Sequence, residues 1–509
     1  MIGIKRNFNF KLGIDHFWII SVLVFFGFIV SLTPVPPNDF WWHLKIGQII
    51  STTRSIPSTN MFAWSLSPDA PFTYAAWFGD LLFYAIYKLG GVATVIFINT
   101  IIAIVSFGLI GFEAWRRSRS WRLAGLVLVL AAIMSSNNTV VRPQILSWIP
   151  FMITYILLSA FADGRIRPVW LLLCPVIMVF WVNIHGSFIL GIALIGIFLV
   201  GEVIRRILKL EGARSWKEIG WIGGIGILSA LSALINPEFT GIFRYVAHLM
   251  TDKSSQRLIE EWQPPAPTTI ATIVFFASIL FLMFALVYSR YYPTPTEALL
   301  IIAFTWLAWT GLRYVIWYAM VVMPILARVL RELLGKTSWL AVPRRSGINT
   351  GLALLFMIPL VIVQPWFVES IPLPQKYWNL VHKDSPLGPL LSVSTPLGAV
   401  EYLRENPGGH LFNEMGYGSY MIWAYPEQGV FVDPRVELYP YDQWLDYIKI
   451  SNGVRYNELL DKYRIDRILL DNQEQAELSG LLANDELWRM EYSDQYSQIW
   501  GKKEDKSSE

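Results

Sequence analysis

Charge is what this 509-residue chain has least of: Asp, Glu, Lys and Arg together make up 16% of it. Soluble domains average about 25%, so too little polar material is present to cover one large water-soluble body. Cysteine is nearly missing as well. The one present, Cys174, lies in an apolar run and has no partner for an internal disulfide, which excludes a stapled secreted scaffold. A balance of 41 basic against 38 acidic residues leaves only +3, which excludes a nucleic-acid binder. Several chemistry-bearing motifs are absent: no Walker loop, no Rossmann glycine fingerprint opening a helix, no HExxH and no GxSxG. Without a nucleotide site, any group transfer must draw on an already activated donor, and in so apolar a chain that donor is expected to be a lipid.

Hydrophobic residues make up 54% of the chain, which also excludes disorder and coiled coil, and 23 Trp, 22 Tyr and 30 Phe add an aromatic excess typical of membrane interfaces. A bilayer span needs about 20 mostly apolar residues. Eleven stretches qualify: about 17–35, 91–112, 122–137, 143–161, 168–184, 187–206, 218–235, 269–289, 296–311, 314–333 and 350–366, the third and ninth being short. The first reads as a retained helix, because its apolar run is long for a signal peptide and no small-residue cleavage site follows. The basic clusters at 5–11, 116–122, 165–167, 205–217 and 328–345 then all fall on the N-terminal side of the membrane. By the positive-inside rule the N-terminus is cytoplasmic, in a plasma (inner) membrane. Residues 77–89 are too few to cross and read as an amphipathic helix lying on the outer surface.

The expected fold is a polytopic α-helical membrane protein. Residues 1–369 form the transmembrane module, with a first outer loop at 36–90 carrying two surface helices and an outer hairpin at 236–268. Residues 370–501 alternate short apolar strands (HLFN, GVFVD, DRILLD) with helical stretches and close on a hairpin (LWRMEY, YSQIWG). That alternation predicts a small extracytoplasmic α/β domain, with 502–509 as a solvated disordered end.

Asp39 stands just past the outer end of the first span, beside Phe40, Trp41 and Trp42. Partial desolvation raises such a carboxylate toward general-base range; a helix cap, shared with Asn38, is the alternative. His43 follows one helical turn later, lining a cavity with Trp42 or sitting among interfacial tryptophans. Asp80 opens the second surface helix, where it binds a divalent cation (magnesium or manganese), orients an acceptor hydroxyl, or simply favours the helix dipole. Arg142 and Arg313 lie at outer ends of spans, reaching lipid headgroups or holding a phosphodiester in a planar fork of donors. Asn183 and His185 make a polar turn between spans that either lines a substrate cavity or satisfies itself. Glu238, Arg244, Glu260 and Glu261 in the outer hairpin read as solvated or interfacial. Asp433 and Arg435 follow a predicted strand end and either recognise an acceptor or hold a turn.

The layout of a first span, an acidic long outer loop with two surface helices, many spans and a terminal outer domain is distinctive. With the segments PNDFWWHLKIGQII, IPSTNMFAWS, AAWFGDLL, VRPQILSW, NIHGSFILG, INPEF, GYGSYMIW and VFVDPRVELY, the chain resembles the GT-C superfamily of membrane glycosyltransferases. More narrowly it is similar to a bacterial branch of glycosyltransferase-like membrane proteins, over nearly its whole length. The resemblance implies a polyprenyl-phosphate-linked sugar as donor and inverting transfer on the outer face to a protein, glycan or lipid acceptor. It implies that Asp39, matching the first-loop acid, deprotonates the acceptor, and that Asp80 matches the second acidic position. The leaving lipid phosphate needs cations, for which Arg142 and Arg313 are the candidates. Ala75, Ala76 and Trp77 stand where the branch often shows a His-Glu-Trp signal, which counts against a metal there. The rival readings are a glycan polymerase or ligase, a flippase with broken helices and inverted repeats, and a non-catalytic assembly protein.

Overall fold

The computed structural model describes residues 12–335, 347–364, 366 and 390–503. Lys5, Arg6, Lys11, the basic residues from Lys336 to Arg345, the stretch 370–389 and the end 504–509 lie outside the described residues. Helices dominate. They are α1 (Ile14–Leu32), α2 (Phe40–Thr53), α3 (Trp77–Ser118), α4 (Trp121–Met134), α5 (Trp148–Ala162), α6 (Leu173–Val182) and α7 (Phe188–Ile207). After these come α8 (Trp216–Ser232), α9 (Gly241–Thr251), α10 (Lys253–Leu258), α11 (Ile270–Tyr288), α12 (Pro295–Thr310), α13 (Val315–Leu334) and α14 (Gly347–Ile362).

Among the described residues five helical stretches are long and apolar enough to cross a membrane: Trp77–Ser118, Pro143–Ala162, Phe188–Ile207, Ile270–Tyr288 and Leu312–Leu334. Shorter apolar helices cover His16–Leu32, Trp121–Met134, Pro168–Val182, Pro295–Thr310 and Gly347–Ile362, and α8 falls on the remaining predicted stretch. Large apolar side chains face outward around the bundle, Trp306 at 72% exposure and Val287 at 77% among them. An apolar belt of this kind is what a helix bundle presents to lipid. At the centre runs α13, buried at every residue from Val315 to Ala327, the mark of a helix apolar all round.

The predicted surface helix 77–89 is the first part of α3. It breaks from the long apolar part at Gly90 and Gly91, where Gly91 takes φ +64, a left-handed conformation that glycine adopts without a Cβ clash. The two surface helices lie against each other closely, since a Cβ on Gly47 of α2 would come within 2.1 Å of the Asp80 carbonyl oxygen.

At the other end of the bundle from these helices, a buried ionic network ties α3, α5 and α12 together. Arg116 Nη2 donates to Glu113 Oε1 at 2.6 Å and Arg117 Nη1 to Glu297 Oε1 at 2.7 Å. Thr294 caps α12 reciprocally with Glu297.

Residues 390–503 form α15 (Leu397–Glu405), β1 (Leu411–Asn413), α16 (Met415–Ala424), α17 (Tyr441–Ser451), α18 (Tyr456–Lys462), β2 (Arg467–Asp471), α19 (Ala476–Leu482), β3 (Trp488–Ser493) and β4 (Ser497–Lys502). The sheet order is β1-β2-β4-β3, with β1 parallel to β2, the other pairs antiparallel, and a register shift between Met490 and Tyr492. Two expectations need correcting. GVFVD is not a strand of this sheet: Val430 instead donates to the Phe62 carbonyl at 2.9 Å and accepts from the Trp64 amide at 3.1 Å, so the first loop supplies its partner. Lys502 is not part of a disordered end, because it closes β4 opposite Trp488.

The bundle has its own apolar core. A second core joins Trp42, Ile46, Phe62, Phe72 and Tyr74 of the first loop to Leu411, Val432, Trp444 and Ile468 of the C-terminal region. The loop and the C-terminal region are therefore one packed body seated on the bundle.

Candidate functional site

Four segments distant in sequence meet where the first loop enters the bundle. Asp39 opens α2 but makes no side-chain cap bond, so its carboxylate is free for a partner on another segment. That partner is Arg142, whose Nε lies 3.2 Å from Asp39 Oδ2 without hydrogen-bond geometry, as a bare ion pair. Pro143 begins a short 3₁₀ turn right after Arg142, which holds the arginine in extended backbone. Arg142 Nη1 also donates to Glu261 Oε2. Glu261 Oε1 in turn lies 3.4 Å from Nη1 of Arg313, whose guanidinium stacks 4.2 Å above the Trp262 ring. The result is an alternating chain of four charges, Asp39, Arg142, Glu261 and Arg313, each side chain between 16% and 30% exposed.

Burial pushes the Glu261 carboxyl up, but Arg313 and Arg142 outweigh it and hold the group below its ordinary range. Arg142 is raised despite its burial, because Asp39 and Glu261 stabilise its charge. His185 is pushed down to about 3 by burial, then by Arg313 and His43. It therefore stays neutral at physiological pH. Its Nδ1 accepts from the Ser187 amide at 3.0 Å, which leaves the proton on Nε2.

The structure separates His43 from Asp39 despite their shared helix. His43 Nδ1 donates to Asp80 Oδ1 at 2.6 Å, and its ring stacks on Trp42 with centroids 3.5 Å apart. Asp80 is fully buried, and its Oδ2 and the Trp42 Nε1 have no hydrogen-bond partner. Asn183 is spent on structure: its amide donates to the carbonyls of Val179 and Ile235, each at 2.8 Å, while Oδ1 accepts from Trp77 Nε1 at 2.8 Å. It pins the ends of α6, α8 and α3 together.

Asp433 and Arg435 lie inside the second core, at 0% and 1% exposure. Arg435 donates through Nε and Nη2 to the two Asp433 oxygens at 2.8 and 2.7 Å, and through Nη1 to Tyr74 Oη at 3.1 Å. Tyr439 donates to the same carboxylate. This is a buried clamp between the C-terminal region and the first loop.

Sequence reasoning missed three residues. Glu261 read as solvated, yet it bridges the two arginines. Glu437 and Tyr245, bonded at 3.1 Å, were not singled out. The Glu437 carboxyl is raised, first by burial and further by Asp252 and Asp39. The nearest signal in the sequence was Arg435's neighbour position in VFVDPRVEL, two residues away.

A divalent cation was the one cofactor considered. Among the described residues no group of three His, Cys, Asp or Glu side chains could hold a metal ion. The two first-loop carboxylates are committed separately, Asp39 to Arg142 and Asp80 to His43. The residues present do not fit a metal centre.

No protein-family model and no curated protein sequence matches the chain. Solved structures do. The chain is similar to the archaeal oligosaccharyltransferase AglB from Archaeoglobus fulgidus, in complex with an inhibitory peptide and a dolichol-phosphate, with TM-score 0.50 and 14% identity over 96% of this chain and 74% of that one. The apo form of the Archaeoglobus fulgidus oligosaccharyltransferase gives TM-score 0.50 and 13% identity at the same coverage. ArnT from Cupriavidus metallidurans, in the apo state, gives TM-score 0.44 and 13% identity over 94% of this chain and 96% of that one. At such identities the likeness to the two oligosaccharyltransferase structures is one of fold.

Proposed function

The chain has the fold of the GT-C membrane glycosyltransferases, and from that premise we propose that it transfers a sugar from a polyprenyl-phosphate donor to an acceptor on the extracytoplasmic face. The observation that carries this reading is the pair of guanidiniums, Arg142 and Arg313, brought together at the mouth of an apolar bundle with the Asp39 carboxylate beside them. An isoprenoid chain is soluble in the surrounding lipid. Its phosphate needs cations at the bundle end, where fixed donors stabilise the charge that grows on the leaving group. In this reading Asp39 accepts the acceptor's proton as the glycosidic carbon is attacked from the side opposite the phosphate. Positioned base catalysis contributes about 10²–10⁴-fold.

In this reading eleven helices span an inner membrane with the N-terminus in the cytoplasm. Residues 1–369 bind the lipid-linked donor, and the C-terminal region packs on the first loop. Asp80 holds His43 in one tautomer and does not act directly on substrate. Asp433 and Arg435 fix the C-terminal region to the first loop, and Glu437 with Tyr245 forms the acceptor's border.

The deciding experiment is Asp39→Asn in purified protein supplied with polyprenyl-phosphate sugars. Turnover should fall at least about a hundredfold with donor binding retained. Unchanged turnover removes the base assignment. Arg142→Ala and Arg313→Ala should each weaken binding of the lipid phosphate, and affinity unaffected by both removes the phosphate seat. A wild-type chain inactive with every donor would favour a non-catalytic assembly protein.

A further inference from the structure

Two arginines that seat a phosphate should face an open space, yet here a carboxylate of the protein's own sits between them. We infer that Glu261 is a resident stand-in for the donor phosphate, occupying the seat until the lipid phosphate displaces it. The inference rests on the donor reading above and deepens it.

Three observations carry it. Glu261 splits its oxygens, Oε2 to Arg142 and Oε1 to Arg313, as a phosphate bridging two guanidiniums would. The backbone around it is pinned, while the side chain reaches solvent. Leu312 N–H donates to the Gln263 carbonyl at 2.9 Å, Gln263 Nε2 donates to the Gln256 carbonyl at 2.6 Å, and Trp262 is buried beneath Arg313. The Glu261 side chain remains 30% exposed, so its displacement leads toward solvent and not into the core. Finally, the charges close without a ligand: two carboxylates and two guanidiniums sum to zero, with His185 neutral beside them. A phosphate entering with Glu261 in place would bring net negative charge into a half-buried site. With Glu261 rotated out, phosphate and Asp39 balance the two arginines.

Displacement has a consequence for Asp39. Arg142 now divides its charge between Asp39 and Glu261. A phosphate that draws Arg142 toward itself loosens the ion pair on Asp39 and leaves that carboxylate freer to take a proton, so base strength follows donor binding.

The sign of one substitution separates this from an ordinary structural salt bridge. Purified full-length wild type, Glu261→Gln and Glu261→Ala are titrated with undecaprenyl phosphate in detergent. Both variants should bind roughly tenfold more tightly than wild type, the factor a contact of about 1.4 kcal/mol carries, and the gain should shrink at high salt. Equal or weaker binding by both, with wild-type binding intact, overturns the inference and leaves the donor reading standing. No binding by wild type or either variant overturns both. A structure of the wild-type chain with undecaprenyl phosphate gives a readout independent of variant folding: Glu261 should be turned out of the seat, and a carboxylate still bridging Arg142 and Arg313 overturns the inference.

Discussion

Replacing Arg435 with methionine is the most informative perturbation of the C-terminal region. Asp433 is fully buried, and Arg435 supplies two of its hydrogen bonds and its countercharge. Arg435→Met keeps most of the side-chain volume but leaves a buried carboxylate with no cation, which costs about 3–5 kcal/mol. The same substitution removes the donor to Tyr74 and the guanidinium lying 5.3 and 5.5 Å from the Phe62 and Phe72 rings. The loss should therefore loosen the first loop together with the C-terminal region. The assay is thermal unfolding of the full chain in detergent followed by circular dichroism. Proteolysis of residues 51–76 runs in parallel. The double variant Asp433→Asn with Arg435→Met carries no buried charge and should recover about 2 kcal/mol of the loss. A single variant as stable as wild type, with acceptor affinity reduced instead, would refute the clamp and return both residues to acceptor recognition.

Two smaller perturbations follow from the same geometry. Gly47→Ala should separate α2 from the start of α3, because the new Cβ would stand 2.1 Å from the Asp80 carbonyl, and circular dichroism with turnover should show both stability and activity falling. The Glu414 carboxyl, which caps α16 through the amides of Gly416 and Tyr417, is pushed up to about 7, chiefly by burial and further by Asp471 and Glu474. A folded value above the unfolded 4.5 means the folded state holds the proton more tightly. That stabilisation is complete below about pH 4.5 and is lost as pH rises through 7, by about 3 kcal/mol in all. Melting temperature measured from pH 5 to pH 8 should fall in wild type and stay flatter in Glu414→Gln.

Much of this protein was legible in its residues because the signals are local. Apolar runs are read within about twenty residues, and a helix lies on every predicted stretch, down to the amphipathic α2 and the β3–β4 hairpin. The boundary read between residues 89 and 91 is where α3 breaks, at Gly90 and Gly91. The candidate cations Arg142 and Arg313 were identifiable from their position at span ends, since few charges occur there.

Which charges meet was decided by tertiary structure alone. Asp39 and His43 are one turn apart on α2, yet one pairs with Arg142 and the other with Asp80, because the helix is wedged between two different elements. Glu261 reaches Arg142 across 119 residues, a closeness that no local pattern encodes. The segment 429–433 has strand-like composition, but its edge partner is the first loop, not the sheet. Hydropathy and helical period depend on neighbours along the chain, so sequence alone carries them. An ion pair depends on which distant segments the packed core brings within a few ångströms, and only the folded chain settles that.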